Sequence, residues 1–333
     1  MKSGVYQEQF IALLKHLVPA QVNLARDISE LLNISADGAY RRLRGETAFS
    51  LDETVQICIH YHIPLEALND RVDDVVTFQY TQLSSGLEAF NAHIAALGNH
   101  LRQIRKHEQA VIHYAAEDIP LFYHFGFEAL AQFKVFYWQK SILNLTDLDA
   151  QHFSAGVSYL PADELVDLYN QFAKIPSVEI WTEETIASTL QQIKFYWEAG
   201  FFNAANDALL VLDDVDKLLS RISRQAEIGQ KINAAGASTG VQFQLYLCDL
   251  MIGNNSILVE MGESKVSFIG YNTFNSIHTR NRIFNSEHAQ WVTNLQSKSI
   301  QISMMAEKIR NQFFKAQSRK VNDMRVLISG ETT

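Results

Sequence analysis

The sequence predicts a mainly α chain with α+β character. An all-α unit comes first, then a long linking helix, then an α/β or α+β domain with a small antiparallel sheet. Three observations predict this. Capped amphipathic helices follow one another over residues 7–70, and an apolar heptad runs through residues 84–109. From residue 110 onward, aromatic helical stretches alternate with short β-branched runs, ending in period-two segments divided by glycine turns. The chain therefore reads as three parts, 1–70, 71–109 and 110–333.

A first helix is expected over about Gln7–Leu17, stopping near Pro19. A second runs over about Asn23–Leu32, with Leu24, Ile28, Leu31 and Leu32 as its apolar stripe. Asn33-Ile34 makes a short turn, Ser35 caps a third helix over Ala36–Arg44, and Gly45 suits the left-handed backbone that closes it. Ser50 with Glu53 forms a capping box for a fourth helix whose apolar face reads as Leu51, Val55, Cys58 and Ile59, with Pro64 beyond its end. "DDVVTFQYTQ" reads as a strand. The linking helix, Ser84 to about Gln109, carries Leu87, Phe90, Ile94, Leu97, Leu101 and Ile104 at alternating steps of three and four. That is the seam of a coiled coil and predicts a homodimer. The ordinary alternative is a helix packed on its own domain. His93, His100 and His107 flank this seam one heptad apart. Metal binding would need them to converge, and at roughly 10 Å along one helix they do not, so they read as solvated.

Beyond residue 110, "AVIHYAA" and "SVEIW" read as buried strands. Helices are expected over Phe127–Leu143, 183–198 and 203–231, and "NAAGASTG" is a loop. Val241, Phe243, Leu245 and Leu247 alternate, and "SILVEMG" and "KVSFIGY" follow with turns at 253–255 and 262–264, which suggests an antiparallel meander. A last helix, about 287–317, would carry Trp291, Leu295, Ile302, Met305 and Ile309. The echo between "QFKVFYW" and "QIKFYW" is of a kind that chance produces. The aromatic stretch 121–138 is mostly core, with a small-molecule pocket as the alternative.

With 47% hydrophobic and 20% charged residues, the 333-residue chain can bury a sizeable core. It has no apolar run long enough to span a membrane, and its start, MKSGVYQEQF, lacks the apolar core of a secretory signal. The expectation is a cytoplasmic protein with no membrane partner. Cys58 and Cys248 form no C-x-x-C and read as reduced thiols. The net charge of −9 argues against nucleic acid only if charge is spread evenly, and it is not. Residues 141–220 hold 13 acidic and 3 basic side chains, whereas 298–325 hold seven basic residues against Glu307 and Asp323, which makes these two regions natural partners.

Within the acidic N-terminal part, "NISADGAYRRLRGE" gathers Arg41, Arg42 and Arg44 on a helix preceded by a tight turn. Helix, short turn, Ser-capped helix, Gly and Ser-capped helix is the order of a helix-turn-helix. On Leu31-Leu32, Asn33-Ile34-Ser35, Gly45 and "SLDETVQICIHYHIPLEAL", residues 20–70 resemble the repressor-type, Cro-like helix-turn-helix of bacterial and phage regulators. The resemblance implies a sequence-specific DNA-binding transcription regulator, with 110–333 as a regulatory domain for a small-molecule effector or for oligomerisation. It places Ala36, Asp37 and Arg41 against base edges, with Tyr40 and Arg44 on the same face and Ala39 and Leu43 inward. Arg41 suits guanine and Arg44 a phosphate. Arg42 stands where the family usually buries an apolar side chain, so it either reaches a phosphate or marks a rotated helix. The candidate DNA-binding set is Ser35, Ala36, Asp37, Tyr40, Arg41, Arg42 and Arg44. A solvated face whose arginines pair with Glu46 or Asp37 is the ordinary alternative. No Walker A, H-E-x-x-H or G-x-G-x-x-G is present, and no catalytic residue, metal or cofactor is expected. Two other classes remain open: a protein-interaction scaffold using the helical N-terminal domain, and an enzyme of unrecognised class with an accessory DNA-binding domain.

Overall fold

The structure, a computed structural model, describes residues 4–17, 23–61, 63, 65, 75–83 and 86–330. The expected helix stop at Pro19, the tail after residue 61 apart from Ile63 and Leu65, the first half of the expected strand and the helix start at Ser84 lie outside them. The chain forms two compact units, Met1–Thr77 and Phe78–Thr333. The segment 71–109 is therefore no separate part. Its strand and its helix both belong to the second unit.

In the first unit, α1 (Val5–Leu17), α2 (Leu24–Leu32), α3 (Ala36–Leu43) and α4 (Leu51–His60) enclose Phe10, Leu14, Ile28, Ala39, Ile57 and Cys58. The face expected for α4 is turned. Leu51 and Ile59 are 75% and 69% exposed, because Ile57 and Cys58 go inward with Tyr61 packed one turn on. That is the stripe a 3.6-residue period allows.

The second unit opens with β1 (Gln79–Tyr80), α5 (Leu87–Arg105) and β2 (Ala110–Ala115). A 3-10 turn (Leu121–Gly126) leads into α6 (Glu128–Tyr137), which continues through a wider π-helical turn (Trp138–Ile142). Then come α7 (Ala162–Phe172), β3 (Ser177–Trp181), α8 (Ala187–Glu198), α9 (Ala205–Ile228), β4 (Gln230–Ile232) and β5 (Ser238–Leu247). The chain closes with β6 (Ser256–Met261), β7 (Ser264–Gly270), β8 (Ser276–Thr279), α10 (Arg282–Ser297), β9 (Ile300–Gln301) and α11 (Glu307–Gly330).

The strands join one nine-stranded mixed sheet in the order β1-β8-β7-β6-β2-β3-β5-β4, with β9 beside β5. This corrects the small antiparallel sheet. The β6–β7 hairpin turns at Gly262-Glu263 as expected, and β8, a strand not anticipated, extends it, but β2, β3 and β5 run parallel. Parallel neighbours need long crossovers, which the helices between these strands supply. A period-two stretch does not say which strand it will meet, so β5 read as a hairpin partner and is instead a crossover strand.

The expected helix over 287–317 is two helices. Met304 and Ala306 take positive φ of 59° and 52°, β9 pairs β5, and buried Arg310 donates to the carbonyls of Ile302 (3.0 Å) and Met305 (3.1 Å). These contacts hold the break open. Along α11, Arg325 bridges Asp213 and Asp216 of α9 at 2.8 Å each, and Lys320 meets Glu184 at 3.1 Å. The basic segment thus lies on the acidic one.

The sheet has two covered faces. On one, the cross-strand row Tyr114–Ile257–Phe268–His278 looks toward α5 and α6. On the other, α10 is fastened by a chain of hydrogen bonds. The hydroxyls of Ser256 and Ser267 meet the two ring nitrogens of His288 at 2.7 and 2.6 Å, and Ser267 also donates to Asn285, at 2.7 Å.

Candidate functional site

Two features stand out as places where this chain can meet another molecule, one in each unit. The first is the outer face of α3. Its position is fixed from both sides. Asn33 takes the left-handed conformation (φ 51°) at the end of α2, and the Ile34 N–H donates to the Ser29 carbonyl, whose hydroxyl donates back to the Ile34 carbonyl at 2.8 Å. Ser35 Oγ accepts from the Gly38 N–H at 3.1 Å, capping α3. After α3, Gly45 (φ 76°) lets the chain turn, and Gln7 of α1 pins the following loop by donating to Thr47 O (2.8 Å) and accepting from Phe49 N (3.3 Å).

Ala39 and Leu43 point into the core, while Ser35, Ala36, Asp37, Tyr40, Arg41 and Arg44 are exposed. Glu46 lies 3.2 Å from Arg44 and 3.9 Å from Arg41, so both arginines have a carboxylate within reach. Both remain more than half exposed, and such pairs hold weakly. Arg42 is different. Its guanidinium forks onto Glu53 of α4, Nη2 to Oε1 at 2.8 Å and Nε to Oε2 at 3.1 Å, and the same carboxylate accepts the Ser50 N–H. Burial works against the charge of Glu53, yet Arg42 and the Ser50 amide hold its carboxyl below the usual range. Arg42 therefore makes an ion pair between α3 and α4. It is turned from the exposed set by its own unit.

The linking helix departs from the expectation. Phe90, Ile94, Leu101 and Ile104 are buried in the core of the second unit, Leu97 is half-buried against it, and Leu87 is exposed. The coiled-coil seam is thus filled from within the chain. Gly98 lets α5 come close to α7, where an added Cβ would sit 3.1 Å from Leu168, and Arg102 and Arg105 tie to Asp167 (3.2 Å) and Gln171 (2.8 Å) of α7. A strict heptad reports an apolar stripe, and any apolar surface can cover it.

The second feature lies beside that stripe, between α5 and the Tyr114–Ile257–Phe268–His278 row. It is a cavity of about 130 Å³, lined mainly by apolar and aromatic side chains, with the exposed Thr81, His100 and Asn272 at its mouth. His93, expected to be solvated, is buried in its wall, whereas His107 is exposed. At the inner end, Lys134 of α6 donates to Thr189 (2.8 Å) and Gln192 (2.9 Å) and lies 3.8 Å from Asp118. Burial pulls the Lys134 amine down, and Asp118 works against that. Burial and then Lys134 push His124 well below the ordinary imidazole value, so it is neutral. Burial likewise lowers His93 and takes His278 to about 4. The cavity wall thus carries neutral imidazoles and a compensated ion pair. The readable signal was Lys134 inside an aromatic helix, a charge that burial has to compensate.

Comparison with known protein families, with curated proteins and with solved structures finds no match. Among the described residues, no helix is long and apolar enough to cross a membrane.

Proposed function

We propose that the chain is a sequence-specific, bacterial-type transcription regulator. Its first unit reads double-stranded DNA through α3, and its second unit holds a small-molecule effector. One observation carries the reading: Ala36, Asp37, Tyr40, Arg41 and Arg44 share the exposed face of a helix that a capped turn and a pinned loop hold in place. A recognition helix needs this, since base edges in the major groove are read only by side chains held in register. Arg41 is the candidate for a guanine, Arg44 for a phosphate, and Asp37 for a cytosine amino group or the helix dipole. Two half-sites call for a homodimer. Its interface is a surface other than the buried positions of α5. The cavity supports the regulatory role of the second unit.

Selection from a randomised duplex pool, followed by titration of the selected site at rising salt, tests the reading. The affinity is expected to fall steeply with salt, as released counterions require. Enrichment of no sequence would remove the DNA-binding reading and leave the scaffold alternative.

A further inference from the structure

The inner end of the cavity holds a carboxylate oxygen that the protein leaves open. Asp118 is buried, at 7% exposure, and lines the space. Its Oδ1 accepts from the Ile119 amide at 2.8 Å and from the Thr189 hydroxyl at 3.2 Å. Among the described residues no hydrogen bond reaches Oδ2, which has only the Lys134 charge 3.8 Å away. The two partners of this ion pair are placed differently. The Lys134 side chain is 1% exposed, whereas that of Asp118 keeps 10% of its surface open. The pair thus turns its oxygen to the cavity and keeps its nitrogen behind.

Charge, hydrogen bonding and shape narrow what that oxygen can meet. Asp118 and Lys134 already balance, so an added ammonium would leave a net charge in an apolar enclosure, and a carboxylate would face the Asp118 oxygen. The donors at this end are spent: Lys134 on Thr189 (2.8 Å) and Gln192 (2.9 Å), the Asp118 amide on Asn255 (3.1 Å), the Ile119 amide on Asp118 itself. A hydroxyl or carbonyl brought here would leave its own lone pairs unmatched. The nitrogen of an arylamine shares its lone pair with the ring and needs only to donate. Flat walls are present in two stacked pairs, Trp138 with Phe274 and Phe268 with His278, each with centroids 5.2 Å apart. The volume, about 130 Å³, is close to the roughly 150 Å³ of an apolar cavity that accepts benzene.

We propose that this cavity binds a small, uncharged arylamine, with its N–H on Asp118 Oδ2 and its ring against the aromatic walls. The binding stands on the cavity alone. Only the further step, that such a molecule is the effector of a DNA-binding regulator, rests on the reading above.

Calorimetric titration of the full chain at neutral pH with aniline, toluene and benzylamine tests it. Aniline and toluene share a shape and differ in the N–H, and benzylamine adds a positive charge. Aniline is expected to bind at least about tenfold tighter than toluene, with benzylamine weaker than aniline. Ala96→Phe, which fills the space from α5, should abolish binding of both aniline and toluene. Asp118→Asn should invert the preference. Its Oδ1 stays on the Ile119 amide, so its amino group replaces the open oxygen, and benzonitrile, which only accepts, should then bind tighter than aniline. Where that variant does not fold, carbon NMR of the unaltered chain decides: aniline should shift the Asp118 carboxyl resonance and toluene should leave it in place. Equal affinity for aniline and toluene, benzylamine binding tightest, no binding, or an unmoved Asp118 resonance overturns the proposal. Aniline that binds without changing affinity for the selected duplex keeps the site and removes only its link to regulation. Absent DNA binding with aniline still bound removes the regulator and keeps the site.

Discussion

Helices α3 and α5 each carry a periodic face that reads as a surface for another molecule, and the fold treats them oppositely. In α3 the charged face stays outside, because its inner side needs only Ala39 and Leu43 to close a small core. In α5 the apolar face turns inward onto α7 and the sheet, and Phe90, Ile94 and Leu101 are all buried. Local signals such as caps, turns and charge report what a helix presents when its neighbours are few. An apolar stripe reports only that something must cover it.

The contrast is broken most severely at Ile94. Ile94→Asp places a carboxylate in the core, at a cost of several kcal/mol. The second unit should lose its cooperative thermal melt while the helical signal of the first unit persists. A folded monomer would mean that α5 faces a partner after all. On α3, Arg41→Ala should weaken binding to a selected duplex by about 1–3 kcal/mol and relax preference at one base pair, whereas Arg44→Ala should lower affinity for every sequence alike. Competition titrations separate these outcomes. Arg42→Ala should act on folding: loss of a charge-assisted fork costs about 1–3 kcal/mol of stability, read by urea denaturation, with any effect on DNA following the loss of fold.

The smallest effect is the response to acid. His278 and His288 in the folded chain titrate near 4, below the roughly 6.5 of an unfolded histidine, with burial as the main cause. Between those values the unfolded chain takes up protons that the folded chain refuses. The stabilisation is therefore complete above pH 6.5 and is lost progressively toward pH 4. Melting temperatures of the parent and His278→Phe at pH 7 and pH 5 should show a shallower decline in the variant.

Much of the first unit was legible because its determinants sit within a few residues of one another: Ser35 and Gly38, Ser50 and Glu53, Gly45 after Leu43. The partner of Arg42 was not, since Glu53 reads as a capping residue and its second role needs the packing of α4 on α3. In the second unit most strands and helices were visible, but their pairing was not. Nothing near Val241–Leu247 says that the strand will lie beside residues 177–181 and not beside residues 256–261. The cavity was hidden for the same reason. His93, Trp138 and Phe274 are distant in the sequence and meet only once α5, α6 and the loop before β8 are in place.

The central position of β2 has a consequence for how the protein is made. Its residues 110–115 pair on one side with β3 and on the other with β6, which begins only at Ser256. On a ribosome adding about 5–20 residues per second, that edge of β2 waits roughly seven to thirty seconds for its mate. Through this interval the nascent second unit exposes an unpaired strand edge rich in β-branched and aromatic residues, a natural substrate for chaperones. The core of the first unit is drawn from residues 10–63, so its side chains are all synthesised before the wait begins.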